Sequence, residues 1–414
     1  MKSRVIICAF LFIAFVSAAL GNEPDGVQST VYRTLPAVRS LADLDVADFF
    51  DNMESGSLVN LKKAGPGSFN FEVQDNKIYG YQGTLMVWFY GMCDLRNVKV
   101  EAGDKLKMAL RWPVGLTHVR PVYSYDSINW NFVPEGWGRD GDFFRFDLPL
   151  RSGESRLYFA THFPYPPQRV FERAIKQAKN PNVRTIETIG RGERDRPTIM
   201  LTVTDPRVPD RNKKSILLSA GDHPGETASL WGMEGSIDFL LSEDPVAKSL
   251  RKKAIIYVVP ILSMDGSALG TDRRQATGVN IYFDYQKFES REARYMWETV
   301  KRVRPSLWLD YHSWHLGTAE GLYGPHPKVV GADKYAQVKP LIDAIGKYFP
   351  LKQQSPDTLD SPNTQALIKL GVPGFCPEFN FGKGANGEWK SMEDQKVLGS
   401  KIIMGIQDYL NGLH

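Results

Sequence analysis

The second half of the chain alternates short apolar segments with longer stretches that have helical spacing. The apolar segments have the length of buried strands, and the stretches between them have the length and apolar periodicity of helices. The predicted strands are Ile216–Leu218, Ala254–Val259 and Leu307–Leu309, and the predicted helices are Glu226–Leu241, Ser290–Val303 and Asp333–Phe349. Strands separated by helices predict an α/β domain with a largely parallel sheet.

The first half has a different pattern, in which aromatic-rich runs of β-forming residues are broken by turns. These runs include Thr84–Phe89, Val98–Glu101, Phe143–Phe146 and Arg156–Phe159. Short runs at this spacing predict an antiparallel β-sandwich. The prolines of Pro164–Pro167 mark a boundary, because prolines end strands and stiffen connections. We therefore predict a β-sandwich domain over 46–166 and an α/β domain over 167–414, after a polar lead-in over 22–45.

The N-terminus has the order of a secretory signal peptide. Lys2 and Arg4 precede the apolar run Val5–Val16, and small residues follow up to Gly21. The run is too short to span about 30 Å of hydrocarbon, which argues against a membrane anchor. We expect residues 1–21 to be removed and the protein to be secreted or periplasmic, with no membrane association afterwards.

Charge and cysteine content exclude two further classes of protein. The chain has 51 Lys and Arg against 47 Asp and Glu, a net charge of +4, and loss of Lys2 and Arg4 would leave +2. Such a weak charge argues against nucleic acid as a partner. Three cysteines are too few for a disulfide framework. Without Cys8, we expect Cys93 and Cys376 to be free and buried, with a disulfide in an oxidising compartment as the alternative.

Two histidine motifs follow predicted strands. His223 and Glu226 come directly after the strand Ser215–Ala220, and His312 follows the segment Leu307–Leu309 with Asp310 two residues before it. Ligand sites of α/β sheets form at the carboxyl ends of strands. Two histidines and a glutamate leave a fourth position open, as in catalytic zinc sites. The motifs predict one zinc ion per chain, although the spacing of His223 and Glu226 alone also suits an ordinary helix start.

Glu378 lies within Pro373–Phe379, where it follows a third apolar segment bounded by turns. A carboxylate beside a metal-activated water can take its proton and pass that proton to a leaving amine. Taken without its context, Glu378 is equally an ordinary surface glutamate after a proline.

Several motifs in this region resemble the zinc metallocarboxypeptidases, and most of all the cytosolic carboxypeptidase subfamily. They are His223-Pro224-Gly225-Glu226-Thr227, Val259-Pro260, Met264-Asp265-Gly266 and Gly270-x-x-Arg273 with Gly278, while Pro121–Ser124, Tyr158–Ala160 and Phe163–Pro166 resemble that subfamily's N-terminal β domain. The resemblance implies a carboxypeptidase-like mixed sheet flanked by helices and a peptide or protein substrate. It also implies site roles: zinc ligands His223, Glu226 and His312, general base and acid Glu378, and oxyanion stabiliser Arg273. Arg274 is the alternative for the last role, since only the spacing separates the two arginines.

One departure from that family concerns the substrate. The family has an Asn-Arg pair that binds the terminal carboxylate of a peptide, and here Tyr282 and Phe283 stand at those positions. An aromatic ring cannot replace the paired charge-assisted bonds of an arginine. Either another cation, Arg274 or Lys287, binds the carboxylate, or the substrate is not a free C-terminus. The substrate-binding candidates are therefore Arg274, Tyr282 and Phe283.

Three functions are consistent with this sequence. The first is an exported zinc-dependent carboxypeptidase. The second is a zinc amidase acting on a blocked peptide or a cell-wall amide, which the missing Asn-Arg pair favours. The third is a catalytically weak zinc-binding interaction module on the same scaffold. The presence of Glu378 and Arg273 beside a full ligand set argues against the third.

Overall fold

The computed structural model describes residues 38–72, 88–111, 119–314, 320–356, 358–384 and 387–412. The predicted signal peptide over 1–21 and the lead-in up to residue 37 lie outside these ranges, as does the stretch 84–87 of one predicted strand. The chain divides into two units. The β unit comprises Asn22–Pro164 with Ala268–Asp272, and the α/β unit comprises Tyr165–Ser267 with Arg273–His414.

The described part of the β unit contains two five-stranded sheets, ordered β1-β4-β10-β6-β7 and β2-β3-β5-β9-β8. Its strands are β1 (Phe49–Phe50), β2 (Val59–Gly65), β3 (Ser68–Glu72), β4 (Tyr90–Asp94), β5 (Lys105–Arg111), β6 (Val122–Ser124), β7 (Asn131–Phe132), β8 (Gly138–Asp140), β9 (Phe143–Pro149) and β10 (Arg156–Ala160). All described pairs are antiparallel except β3 with β5. Alternate residues of β9 are buried, as expected for a strand with one face on a core.

Aromatic side chains from both sheets form the core of the β unit. The Phe71 ring of β3 packs edge-on against the rings of Phe146 and Phe159, each at 6.3 Å between centroids. Edge-to-face contacts of this kind add to the free energy gained by burying the rings. The aromatic-rich composition of this half is therefore explained by the core of a two-sheet unit.

One predicted strand of the β unit is wrong. Val98–Glu101 forms no regular strand, and only an isolated bridge joins Val98 to Arg39. The backbone is in the left-handed region at Asn97 (φ 61°) and at Gly103 (φ 92°), on both sides of this segment. These turns end the extended conformation that the alternation of Val and charged residues favours.

The described part of the α/β unit has one eight-stranded sheet, ordered β11-β12-β14-β13-β15-β18-β16-β17. Its strands are β11 (Val183–Arg191), β12 (Pro197–Val203), β13 (Lys214–Ala220), β14 (Ala254–Val259), β15 (Leu307–Trp314), β16 (Gly321–Gly324), β17 (Lys352–Pro356) and β18 (Gly374–Asn380). Its helices are α1 (Pro167–Gln177), α2 (Thr227–Leu241), α3 (Pro245–Lys253), α4 (Met264–Ala268), α5 (Arg291–Val303), α6 (Pro327–Val330), α7 (Ala332–Gly346), α8 (Pro362–Leu370) and α9 (Met392–Asn411). None of the described helices is long and apolar enough to cross a membrane.

The centre of this sheet is parallel, an antiparallel strand joins it on each side, and the outermost strand β17 is parallel to β16. Strands β14, β13, β15 and β18 are parallel neighbours, whereas β11, β12 and β16 each have an antiparallel partner. The predicted strands and helices of this half correspond to β13, β14, β15, α2, α5 and α7. The sheet is thus mixed, as the family resemblance implies, and less parallel than the strand–helix alternation suggests.

Helix α2 is buried nearly all round, because α9 packs closely against it. A Cβ on Gly399 of α9 would lie 1.8 Å from the carbonyl oxygen of Gly232, and one on Gly235 would lie 2.1 Å from that of Lys396. Glycine at these positions lets the two helix backbones approach each other. This packing fixes the start of α2, where Glu226 lies. Cys93 and Cys376 are both buried and neither forms a disulfide, as expected.

Candidate metal centre

The three predicted zinc ligands meet at the carboxyl ends of adjacent parallel strands. His223 and Glu226 lie in the turn between β13 and α2, and His312 lies within β15, which extends to Trp314 instead of ending at Leu309. One potential ligand atom from each of the three lies within 4.8 Å of the other two, and all three residues are buried. The sheet brings them together because β13 and β15 are parallel neighbours.

The Glu226 carboxylate lies between the two imidazoles. Its Oε1 is 2.7 Å from Nδ1 of His223, and its Oε2 is 3.0 Å from Nδ1 of His312. Oε2 also accepts a hydrogen bond from the backbone N–H of Ser313 at 2.7 Å. Burial alone would raise the pKa of Glu226, but the two imidazoles hold it well below its ordinary value.

The outer nitrogen of each imidazole contacts a side-chain oxygen. Nε2 of His312 is 2.9 Å from Oδ2 of Asp310, and Nε2 of His223 is 3.0 Å from Oδ1 of Asn280. Asp310 is itself fixed by the Ser219 hydroxyl, which donates to its Oδ1 at 2.6 Å. Burial lowers the pKa of His223, whereas Asp310 and Glu226 outweigh burial and raise the pKa of His312.

These contacts fit a bound cation. If each Nε2 donates to its oxygen, each Nδ1 carries a lone pair that faces the Glu226 carboxylate. Lone pairs and carboxylate oxygens repel one another unless a proton or a cation lies between them. Two imidazole nitrogens and a carboxylate are a common zinc ligand set, and such histidines usually have an outer hydrogen-bond partner. The residues present therefore fit zinc.

Glu378 lies on β18, directly opposite His312 in the parallel pairing of β15 with β18. The side chain is buried, and its Oε2 has no hydrogen-bond partner among the described residues. Burial raises the pKa of Glu378 to about 8, and the nearby negative charge of Glu226 acts in the same direction. A cation held by the three ligands would oppose both effects. Glu378 is therefore a buried carboxyl group beside the ligand cluster, and not a surface residue.

The side chains of the two candidate arginines point to different partners. Nη2 of Arg273 is 3.9 Å from Oε1 of Glu226, and its side chain is 20% exposed. Nη1 of Arg274 instead donates to the carbonyl oxygen of Gly278 at 2.5 Å. Arg273 is thus the arginine of this pair that is placed beside the ligand cluster, while Arg274 contacts its own loop. Lys287 is exposed.

Tyr282 forms one wall of the ligand cluster. Its ring centroid is 4.9 Å from that of His312 and 5.8 Å from that of His223. Its hydroxyl lies 3.5 Å from Sγ of Cys376. Phe283 packs edge-on against Tyr282 at 5.0 Å, and 39% of its surface is exposed. The surface next to the ligands on this side is therefore aromatic.

Sequence reasoning did not assign a role to Asn280 or Ser313, although both contact the ligands. Asn280 is separated from His223 by 57 residues, and Ser313 from Glu226 by 87. No spacing rule connects residues so far apart. Asp310 was recognisable because residues two apart in a strand share one face.

Comparison with known proteins identifies the domain that carries this centre. Residues 173–295 match the family model described as zinc carboxypeptidase. This segment of the chain is therefore similar to zinc carboxypeptidases. The matched segment includes His223, Glu226 and Arg273, whereas His312 and Glu378 lie beyond it.

The chain is also similar to curated proteins and to solved structures. Cytosolic carboxypeptidase 2 of Mus musculus is 24% identical over 415 residues, which cover 87% of this chain and 46% of the mouse protein. The Xenopus tropicalis protein of the same name is 28% identical over 223 residues, covering 47% of this chain and 23% of that protein. The chain thus spans less than half the length of these curated relatives.

A solved structure confirms the predicted fold class. The metallo-carboxypeptidase from Burkholderia cenocepacia superposes with a TM-score of 0.76 at 21% identity, covering 88% of this chain and 99% of that one. The α/β unit and the preceding β unit therefore share the fold of that protein.

Proposed function

We propose that this protein is a zinc-dependent carboxypeptidase that hydrolyses peptide bonds at or near C-termini. The observation that carries the proposal is the buried set His223, Glu226 and His312, with potential ligand atoms within 4.8 Å of one another and Glu378 on the adjacent strand. The relatives described above support the same activity. The charged and apolar order of residues 1–21 supports export to the periplasm or the medium.

In this proposal His223, Glu226 and His312 hold one zinc ion. When bound, the ion would polarise a carbonyl group and lower the pKa of a water molecule. Glu378 takes a proton from that water and transfers it to the nitrogen of the leaving amine. The Arg273 guanidinium donates hydrogen bonds to the negative charge that develops on the carbonyl oxygen. Asp310 and Asn280 keep the two imidazoles oriented.

We expect Arg273→Ala to lower kcat on the order of a hundred- to a thousandfold, the usual loss when one oxyanion donor is removed. Arg274→Ala is the matched control, because its guanidinium contacts the carbonyl oxygen of Gly278. Steady-state kinetics of both variants, at equal zinc content, checks the assignment. A larger loss of kcat in Arg274→Ala would transfer the oxyanion role to that residue.

The substrate side of the centre is formed by Tyr282 and Phe283. The buried Tyr282 ring occupies the space beside both histidines, so an apolar wall replaces a pair of polar side chains there. A carboxylate buried without a cation is costly, so binding of a free C-terminus at this wall is weakened unless Arg274, Lys287 or another cation reaches it. Phe283 offers an exposed ring to an uncharged part of the substrate.

We expect weaker discrimination between a free-acid peptide and its C-terminal amide than an arginine pair gives. The measurement is kcat/KM for matched acid and amide peptides. Phe283→Arg, at an exposed position, should shift the preference toward the free acid because it adds a cation beside Tyr282. A loss of about a thousandfold on amidation in the unaltered protein, about 4 kcal/mol, would contradict this expectation and indicate a working carboxylate site.

A second candidate function is the hydrolysis of a blocked peptide or a cell-wall amide. The aromatic wall of Tyr282 and Phe283 favours it, since such substrates carry no free carboxylate at this point. Activity on amidated or internal bonds, with no activity on free-acid peptides, would distinguish it from carboxypeptidase action.

A further inference from the structure

Two buried acidic side chains outside the proposed chemistry meet near the start of helix α5. Asp265 lies in α4, Glu292 lies in the first turn of α5, and both are 0% exposed. Both carboxylates lie against Gly192, which follows β11. A Cβ on Gly192 would lie 2.4 Å from Oδ2 of Asp265 and 3.0 Å from Oε1 of Glu292. A glycine at 192 therefore allows both carboxylates to approach the same point of the backbone.

The two carboxylates have unequal partners. Oδ2 of Asp265 accepts a hydrogen bond from the backbone N–H of Arg194 at 2.5 Å, and Nη1 of Arg196 is 3.7 Å from its Oδ1. Neither oxygen of Glu292 has a hydrogen-bond partner within the described ranges of the chain. A buried charge without partners is unfavourable. Asp265 thus has a backbone donor and a guanidinium near its oxygens, whereas burial favours the protonated form of Glu292.

The groups around Glu292 strengthen this difference. The negative charges of Asp265, in α4, and of Glu193, in the turn after β11, raise the pKa of Glu292. Asp222, in the loop after β13, is a further acid that interacts with Glu292. Arg291 is the neighbouring cation, and its Nε is 3.1 Å from Oε2 of Glu193. Tyr295, one turn further along α5, adds no charge at neutral pH, because burial and Glu292 raise its pKa well above the ordinary value.

We propose that the neighbouring buried side chains of Asp265 and Glu292 carry a single negative charge between them in mildly acidic solution, and that ionisation of Glu292 at higher pH destabilises the folded protein where α4, α5 and the turn after β11 meet. A second negative charge at this position is opposed by burial and by the charges of Asp265 and Glu193, and Arg291 compensates it only in part. The loop between α4 and α5 carries Arg273, Asn280 and Tyr282, which lie at the candidate metal centre. The two acids are in the helices on either side of that loop, so the pair is a pH-sensitive element at its ends. The inference rests on the approach of both buried carboxylates to Gly192 and not on the proposed function.

The proton on Glu292 decides how the stability of the folded protein changes with pH. Burial raises the pKa of Glu292 from 4.5 to about 7, and Asp265 adds to that shift. The folded state therefore binds this proton more tightly than the unfolded chain does. The stability due to it is fully present below about pH 4.5, the ordinary value of the group, and is lost as the pH rises to about 7.

The test compares the full zinc-loaded protein with Glu292→Gln in urea unfolding between pH 5 and pH 8. Glutamine keeps the shape and removes the titration. We expect the ratio of the two unfolding equilibrium constants to change on the order of a hundredfold across this range. Glu298→Gln, an exposed position of the same helix, is the matched control and should parallel the unaltered protein. Parallel curves for the unaltered protein and Glu292→Gln would overturn the proposal.

A second measurement does not depend on the folding of Glu292→Gln. Carbon-13 NMR of the glutamate carboxyl groups in the unaltered protein should show one that titrates near pH 7, and Asp265→Asn should move that titration to lower pH while it leaves the titration of Glu378 unchanged. Absence of such a group overturns the proposal. If added Ca²⁺ or Mg²⁺ abolishes the titration and stabilises the unaltered protein at pH 8, the pair is a cation site, and proton sharing is also overturned.

Discussion

His223→Ala is expected to abolish both zinc binding and peptide hydrolysis. The centre offers three protein ligands, and loss of one leaves the buried Glu226 carboxylate with a single imidazole, that of His312. Two ligands are fewer than the three protein ligands that catalytic zinc sites have. Metal analysis after dialysis should fall from about one zinc per chain to near zero, and activity should be lost with it.

His326→Ala is the matched control for this experiment. His326 precedes α6, its Nδ1 accepts a hydrogen bond from the backbone N–H of Lys328, and it is no member of the ligand cluster. We expect His326→Ala to keep zinc content and turnover. If His223→Ala retains full zinc, the ligand assignment is wrong, even if activity is lost.

The central strands were predictable because they are buried on both faces. Segments such as Ala254–Val259 are continuous apolar runs between helical stretches, and this pattern is typical of parallel strands covered by helices. The flanks were not predictable in the same way. Strand β16 is antiparallel to β18, and about fifty residues of chain separate the two strands. No local sequence pattern could therefore predict that they run in opposite directions.

Site residues could be predicted where local spacing or family motifs indicated them. They could not be predicted where their role depends on which way a side chain points. Spacing could not separate Arg273 from Arg274, because neighbouring residues in a loop share the same sequence context. The structure separates them by the contact of each guanidinium, with Glu226 for one and with the Gly278 carbonyl for the other. Asn280 belongs to the same class, since its contact with His223 depends on the path of the connection between α4 and α5.

Glu378→Gln is expected to lower kcat by a factor on the order of 10² to 10⁴ while zinc content and fold are retained. Glutamine keeps the size of the side chain but cannot accept and release the proton of the attacking water. Because this proton transfer belongs to the transition state, the loss should appear in kcat and in kcat/KM to a similar degree. Steady-state kinetics with metal analysis on the same preparation checks both halves of the expectation.

Glu393→Gln is the control, because this glutamate is exposed in the first turn of α9. It should leave kcat unchanged. Glu378 is buried on β18 opposite His312, so a loss confined to Glu378→Gln, with zinc retained, separates proton transfer from metal binding. Loss of zinc in Glu378→Gln would make Glu378 a ligand or a support of the ligands. Near-normal turnover would remove Glu378 from the proposed mechanism.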